Sequence, residues 1–135
     1  MCTVLLDEHL DGYLSFLESL TFNDLWREIA DGIHLNYVRL RDVGIASGTS
    51  DRDIWRVCQA QGFYLLTDNR SQTDEDALGI VMLTEGTSQS LPVFTIGDMD
   101  RFRTERTYAE SLVERLLEYL FNPERIHGTG RLYLP

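Results

Sequence analysis

A three-layer α/β sandwich around a mainly parallel central sheet of about four strands is the fold the sequence predicts, and three observations predict it. Short apolar, β-rich runs alternate with stretches whose apolar residues recur every three or four positions, the pattern of strands joined by covering helices. The strand runs are apolar throughout, as in strands buried on both faces. The length suits one ordinary domain, residues 1–135, with no internal repeat or linker.

The elements follow in order. Thr3 to Leu6 forms the first strand and stops at Asp7-Glu8-His9. From Leu10, apolar residues at Tyr13, Leu14, Leu17 and Leu20 describe a helix lying on the sheet. Asn23 is placed to cap a short second helix that carries Leu25, Trp26 and Ile29 and ends at Asp31-Gly32. Ile33 to Leu40, with Leu35, Tyr37 and Val38, is the second strand. After the polar loop Gly44 to Ser50, Ser50 caps a helix from Asp51 to about Gln61, with Ile54, Val57 and Cys58 facing inward.

Gly62 ends that helix, and Phe63 to Leu66 is a third strand stopping at Thr67-Asp68. Asp74-Glu75-Asp76 opens another helix, through Leu78 to Met82. Leu91 to Ile96 is the fourth strand, ending at Gly97-Asp98. The last long helix, Thr107 to Phe121, carries Tyr108, Leu112, Leu116, Leu117 and Leu120 on one broad face, and the tail from Gly128 can add a short edge strand. Trp26 and Trp55, at helical spacing among apolar neighbours, are expected in the core. Strands alternating with helices imply right-handed crossovers.

Composition removes several function classes. The net charge of -10 opposes a protein that coats nucleic acid through a basic face. All twelve basic residues are arginine, so chemistry that needs a lysine is excluded: a Schiff base, a Walker-type phosphate lysine, or a phosphoacceptor receiver. No Gly-x-Ser-x-Gly nucleophile elbow is present. Cys2 and Cys58 have neither metal spacing nor a disulfide framework, which points to a reducing cytoplasm. No apolar run is long enough for a membrane span, and no basic region precedes the first apolar stretch as in a signal peptide.

In an open α/β sheet, ligands bind outside the carboxyl ends of the strands. Asp7, Asp68 and Asp98 each follow a strand there, and Asp53 sits in a helix expected to begin at the same end. Carboxylates gathered in one concavity repel each other, so they protonate or take up a cation. Magnesium or manganese suits such an all-oxygen site, and the chemistry supported is phosphoryl transfer with activated water. For any single acid, capping of the following helix is the commoner role. Arg101 and Arg103, near the same end, are candidates to hold substrate phosphates, against a blander pairing with Asp100, Glu105 and Glu110. Thr67 either orients water or substrate or closes a turn.

Four short motifs, Leu5-Leu6-Asp7-Glu8-His9, Arg41-Asp42-Val43-Gly44, Ser50-Asp51-Arg52-Asp53-Ile54 and Phe63-Tyr64-Leu65-Leu66-Thr67, occur in this order. Over residues 3–70 the chain thereby resembles an uncharacterised bacterial branch of the PIN-like superfamily. The resemblance implies a PIN-like fold, a metal-dependent ribonuclease acting on RNA, an acidic cluster holding Mg or Mn, and membership of a toxin–antitoxin pair with an antitoxin-like protein as partner. Carried over by position, Asp7 matches the first acid and Asp53 the second. The family's Thr-x-Asp after the third strand corresponds to Thr67-Asp68-Asn69, so Asp68 stands one place early and Asn69 fills the acid's slot. Ser71 stands at the usual fourth acid, with Asp74 or Asp76 as substitutes from the next helix.

The expected catalytic set is therefore Asp7, Asp53 and Asp68, with Asn69 and Asp76 as further metal ligands. The alternative is a catalytically eroded scaffold acting as a binding or regulatory module, its last helix available for a homodimer or another partner.

Overall fold

The computed structural model describes residues 2–68 and 78–135. Five strands form one all-parallel sheet: β1 (Cys2–Leu6), β2 (Leu35–Arg39), β3 (Phe63–Thr67), β4 (Val93–Ile96) and β5 (Arg131–Leu134). Their spatial order is β2-β1-β3-β4-β5. The tail thus supplies a fifth, parallel strand, paired with β4 in register Val93 to Arg131 through Ile96 to Leu134.

Six α-helices cover the sheet among the described residues: α1 (Leu14–Thr21), α2 (Arg27–Gly32), α3 (Asp51–Gln61), α4 (Leu78–Glu85), α5 (Met99–Thr104) and α6 (Arg106–Phe121). Strand alternation sorts them into layers. Val4, Leu6, Tyr64, Leu66, Phe94 and Ile96 face α1, α2, α5 and α6 in one buried cluster. Leu5, Leu65 and Val93 face α3 and α4 in another. Helix α6 buries seven residues, from Tyr108 to Leu120, and forms the largest part of its layer. Each of its buried leucines contributes about 1.5–3 kcal/mol.

Local chemistry explains the helix ends. Ser50 Oγ accepts the Asp53 N–H at 3.2 Å and caps α3, and Gly62 closes it in the left-handed region at φ 75°. Asn23 Oδ1 accepts the N–H groups of Leu25 and Trp26, so the chain turns there before α2 begins at Arg27. The predicted helix from Leu10 divides instead into a 3-10 turn, Glu8–Tyr13, and α1. Asp7 causes the tighter start: its carbonyl accepts the Leu10 N–H at 2.8 Å, an i to i+3 bond. At the far edge Gly128, at φ 79°, passes so close to Ser88 that a Cβ would lie 2.7 Å from its carbonyl oxygen. Its N–H donates to Ser90 O at 2.8 Å, which joins the loop before β4 to the loop before β5.

Two expectations are corrected. Trp26, expected in the core, is only partly buried, whereas Trp55 is in the core; beside Trp26, Leu25 is 72% and Ile29 37% exposed. The short α2 contributes Ala30 as its buried contact, so its larger apolar residues are left at the surface. The crossovers also differ in hand. The connections β1 to β2 and β4 to β5 both run over the α1/α6 layer but step in opposite directions across the sheet. The connections into β3 and β4, over the other layer, share the hand of the first. The last crossover is therefore opposite to the other three, where a uniform right hand is the rule.

Candidate functional site at the carboxyl ends of β1 and β3

The sheet order defines where a ligand site belongs. From β1 the chain steps outward to β2, then returns past β1 to β3, so the connections that leave β1 and β3 run in opposite directions over opposite faces. A crevice opens at such a reversal, beyond the carboxyl ends of the two strands that flank it. Here those strands are β1 and β3, and their ends carry Asp7 and Thr67.

Asp7 is 9% exposed, and its N–H still pairs with Leu66 O of β3 at 3.0 Å. Alternation from Leu5 and Leu65 turns Asp7 and Thr67 toward the α3/α4 side. There the Thr67 hydroxyl donates to Asp7 Oδ2 at 2.7 Å, and the Glu8 N–H donates to Asp7 Oδ1 at 2.7 Å. Both carboxylate oxygens are thus oriented, each with one bond and a remaining lone pair. Asp68 follows directly and is partly buried.

Glu8 has a role that the sequence reading did not assign. Its Oε1 accepts the Ser47 hydroxyl and its Oε2 the Gly48 N–H at 3.3 Å. Those two donors hold its carboxyl below the usual range. This contact spans 39 positions of sequence and anchors the loop that leads into α3 beside the end of β1. Its only sequence signal was an acid next to Asp7 and a serine-rich loop ahead of a capped helix.

The other predicted residues lie as follows. Asp53 is in the first turn of α3, with its side chain 63% exposed and 3.9 Å from the Arg56 guanidinium. Asp98 caps α5 by accepting the Arg101 N–H at 3.1 Å, the capping role expected of acids after strands, while its own N–H donates to the Tyr108 hydroxyl. Arg101 forms two bonds to Glu105 and lies over the Tyr108 ring, and Arg103 pairs with Asp100. Asn69, Ser71, Asp74 and Asp76 lie outside the described residues. Among the described residues, no three His, Cys, Asp or Glu side chains stand close enough together to hold a metal ion. The geometry thus brings together Asp7, Thr67 and Glu8, and leaves Asp53 on the solvent side of its helix.

A hard divalent cation nevertheless suits what is present at Asp7. Magnesium is commonly held by one or two carboxylates and several waters, without a full protein cage. A buried carboxylate whose oxygens are fixed by a hydroxyl and an N–H is the kind of ligand such an ion takes. Among the described residues, no helix is long and apolar enough to cross a membrane. No protein-family description, curated protein or solved structure matches the chain.

Proposed function

We propose that the chain is a Mg- or Mn-dependent, PIN-like ribonuclease domain, cytoplasmic, with RNA as its substrate. The observation that carries this reading is the buried Asp7–Thr67 pair at the switch point of a parallel sheet, with Asp68 beside it. Asp7 is the principal ligand, Thr67 holds it in orientation, and Asp68, Asn69 and Asp76 are the candidates for the remainder, whereas Asp53 lies on the solvent side of α3 beside Arg56. When bound, the ion acidifies water and stabilises charge on a phosphodiester. A toxin-like role with an antitoxin-like protein as partner accompanies this reading.

A second reading, the eroded scaffold serving as a binding module, is favoured by one observation: Asn69 stands where the resemblance expects an acid, on a chain of net charge -10. Thermal unfolding separates the two. If the ion binds the folded chain, millimolar Mn raises the melting temperature by linkage, and Asp7→Asn abolishes the rise together with any Mn-dependent RNA cleavage. An unchanged melting temperature, with cleavage indifferent to Asp7→Asn, rules out the nuclease reading in favour of the scaffold.

A further inference from the structure

At the opposite end of the molecule from Asp7, α2 and α6 enclose an open apolar groove. It holds about 290 Å³ and is walled by Trp26, Ile29, Leu117 and Phe121, with Glu114 and Glu118 on the α6 side. A second cavity of about 260 Å³, lined by Cys2, Ile33, Tyr64, Leu120 and Pro123, shares Phe121 and continues it toward the amino ends of the strands. Phe121 is 61% exposed and Ile29 37%. Large apolar side chains left open in one place are unusual on a folded surface and mark contact sites.

The charges choose among occupants. The groove wall carries two carboxylates and no cation. Arg115 lies 3.6 Å from Glu118, while on α2 Glu28 and Asp31 are exposed beside Arg27, which is bonded to Phe22 O. A second copy is a poor fit: an isologous contact sets the patch against itself, so the wall with Glu114 and Glu118 gains no cation from its mate, on chains that each carry -10. A groove lined by residues of two helix segments, apolar at its floor and acidic on one wall, takes an amphipathic helix in the helix-in-groove mode, apolar stripe down and charged side toward the wall.

We propose that this groove is a docking site for a basic amphipathic helix of another protein, its apolar stripe against Trp26, Ile29 and Phe121 and its cations beside Glu114 and Glu118. The inference is independent of the nuclease reading, since it uses none of the residues around Asp7.

Three synthetic peptides of about 18 residues, five helical turns, test it. One has leucine on one face and lysine on the other, one replaces lysine by glutamate, and one scrambles the first at constant charge. Binding is followed by the Trp26 indole and groove amide signals in two-dimensional NMR spectra. The leucine–lysine peptide is expected to bind and shift the groove signals, with the other two at least about tenfold weaker. Phe121→Ser should weaken it about tenfold. Glu114→Lys with Glu118→Lys should transfer the preference to the leucine–glutamate peptide. All the altered residues are solvent-exposed or at the groove wall, so the variants should fold, which dispersed amide spectra verify. Equal binding of the scrambled peptide, indifference to the charge reversal, or unshifted groove signals with every peptide would overturn the proposal. So would a dimer in sedimentation that Phe121→Ser dissociates, since that would assign the face to self-association.

Discussion

Thr21 has one hydroxyl proton, and it donates to Leu17 O at 2.7 Å, so at its 2.8 Å contact with Tyr37 the tyrosine is the donor. Burial also pushes the Tyr37 phenol up, which keeps it a protonated donor. The two halves of this buried pair are therefore unequal. Tyr37→Phe removes a donor that Thr21 does not need and should cost about 1 kcal/mol, whereas Thr21→Val leaves a buried phenol unpaired and should cost about 1–3 kcal/mol. Urea unfolding of both variants checks the order. Glu8 gives a pH prediction with a definite sign. Its folded pKa lies below the ordinary 4.5, so the loop contact is fully present above that value and is lost as pH falls through the folded one. The Gly48 amide shift should follow this titration and should become flat in Glu8→Gln. Both cysteines are pushed up by burial, Cys2 to about 11 and Cys58 to about 12, and they pack on opposite faces of the sheet. Neither is thus placed to act as a thiolate near neutral pH, nor to pair with the other. Asp7 was legible as a candidate because it ends an apolar run. Its bond to Thr67, 60 positions away, was not, because that contact exists only once β1 and β3 lie side by side.

At the scale of elements, α3 is the one the sequence defined most completely. Ser50, the first-turn acids Asp51 and Asp53, the inward Ile54 and Cys58, and Gly62 all follow from local rules, and the structure repeats them. Val57, expected inward with them, is only partly buried, whereas Trp55 is buried. Ser50→Ala removes the acceptor for the Asp53 N–H and should destabilise the fold by about 1 kcal/mol, measured by denaturant midpoint at constant m. The longer anchoring of α3 was not legible: Gln59 clamps Leu91 through both its N–H, at 2.8 Å, and its carbonyl, at 3.0 Å, and Arg56 forms two bonds to Glu85. Helix α2 shows where periodicity misleads. Its spacing among apolar neighbours read Trp26 as core, yet the helix is six residues long and Trp26 and Ile29 stand in the groove wall beside α6. Spacing identifies which residues share a face; whether another element covers that face is tertiary information.

For the whole molecule, class and layering were readable from alternating runs, and the acids after the strands marked the edge where Asp7 and Thr67 meet. Strand order, the reversal at β1 and the opposite hand of the final crossover were not readable, because they depend on which neighbour each strand chooses across the sheet. Those same choices join Asp7 to Thr67 and set other candidate acids apart: Asp98 caps α5 and Asp53 faces Arg56. The function argued above rests on a divalent ion at Asp7 between β1 and β3. A crystal soaked in manganese chloride, with anomalous scattering recorded at the manganese edge, addresses that most directly. The expected result is a peak within about 2.1 Å of an Asp7 carboxylate oxygen, with further oxygen ligands from the end of β3 or water, and its loss in Asp7→Asn. A saturated crystal with no peak beside Asp7, its carboxylate bonded only to Thr67 and Glu8 as here, would contradict it.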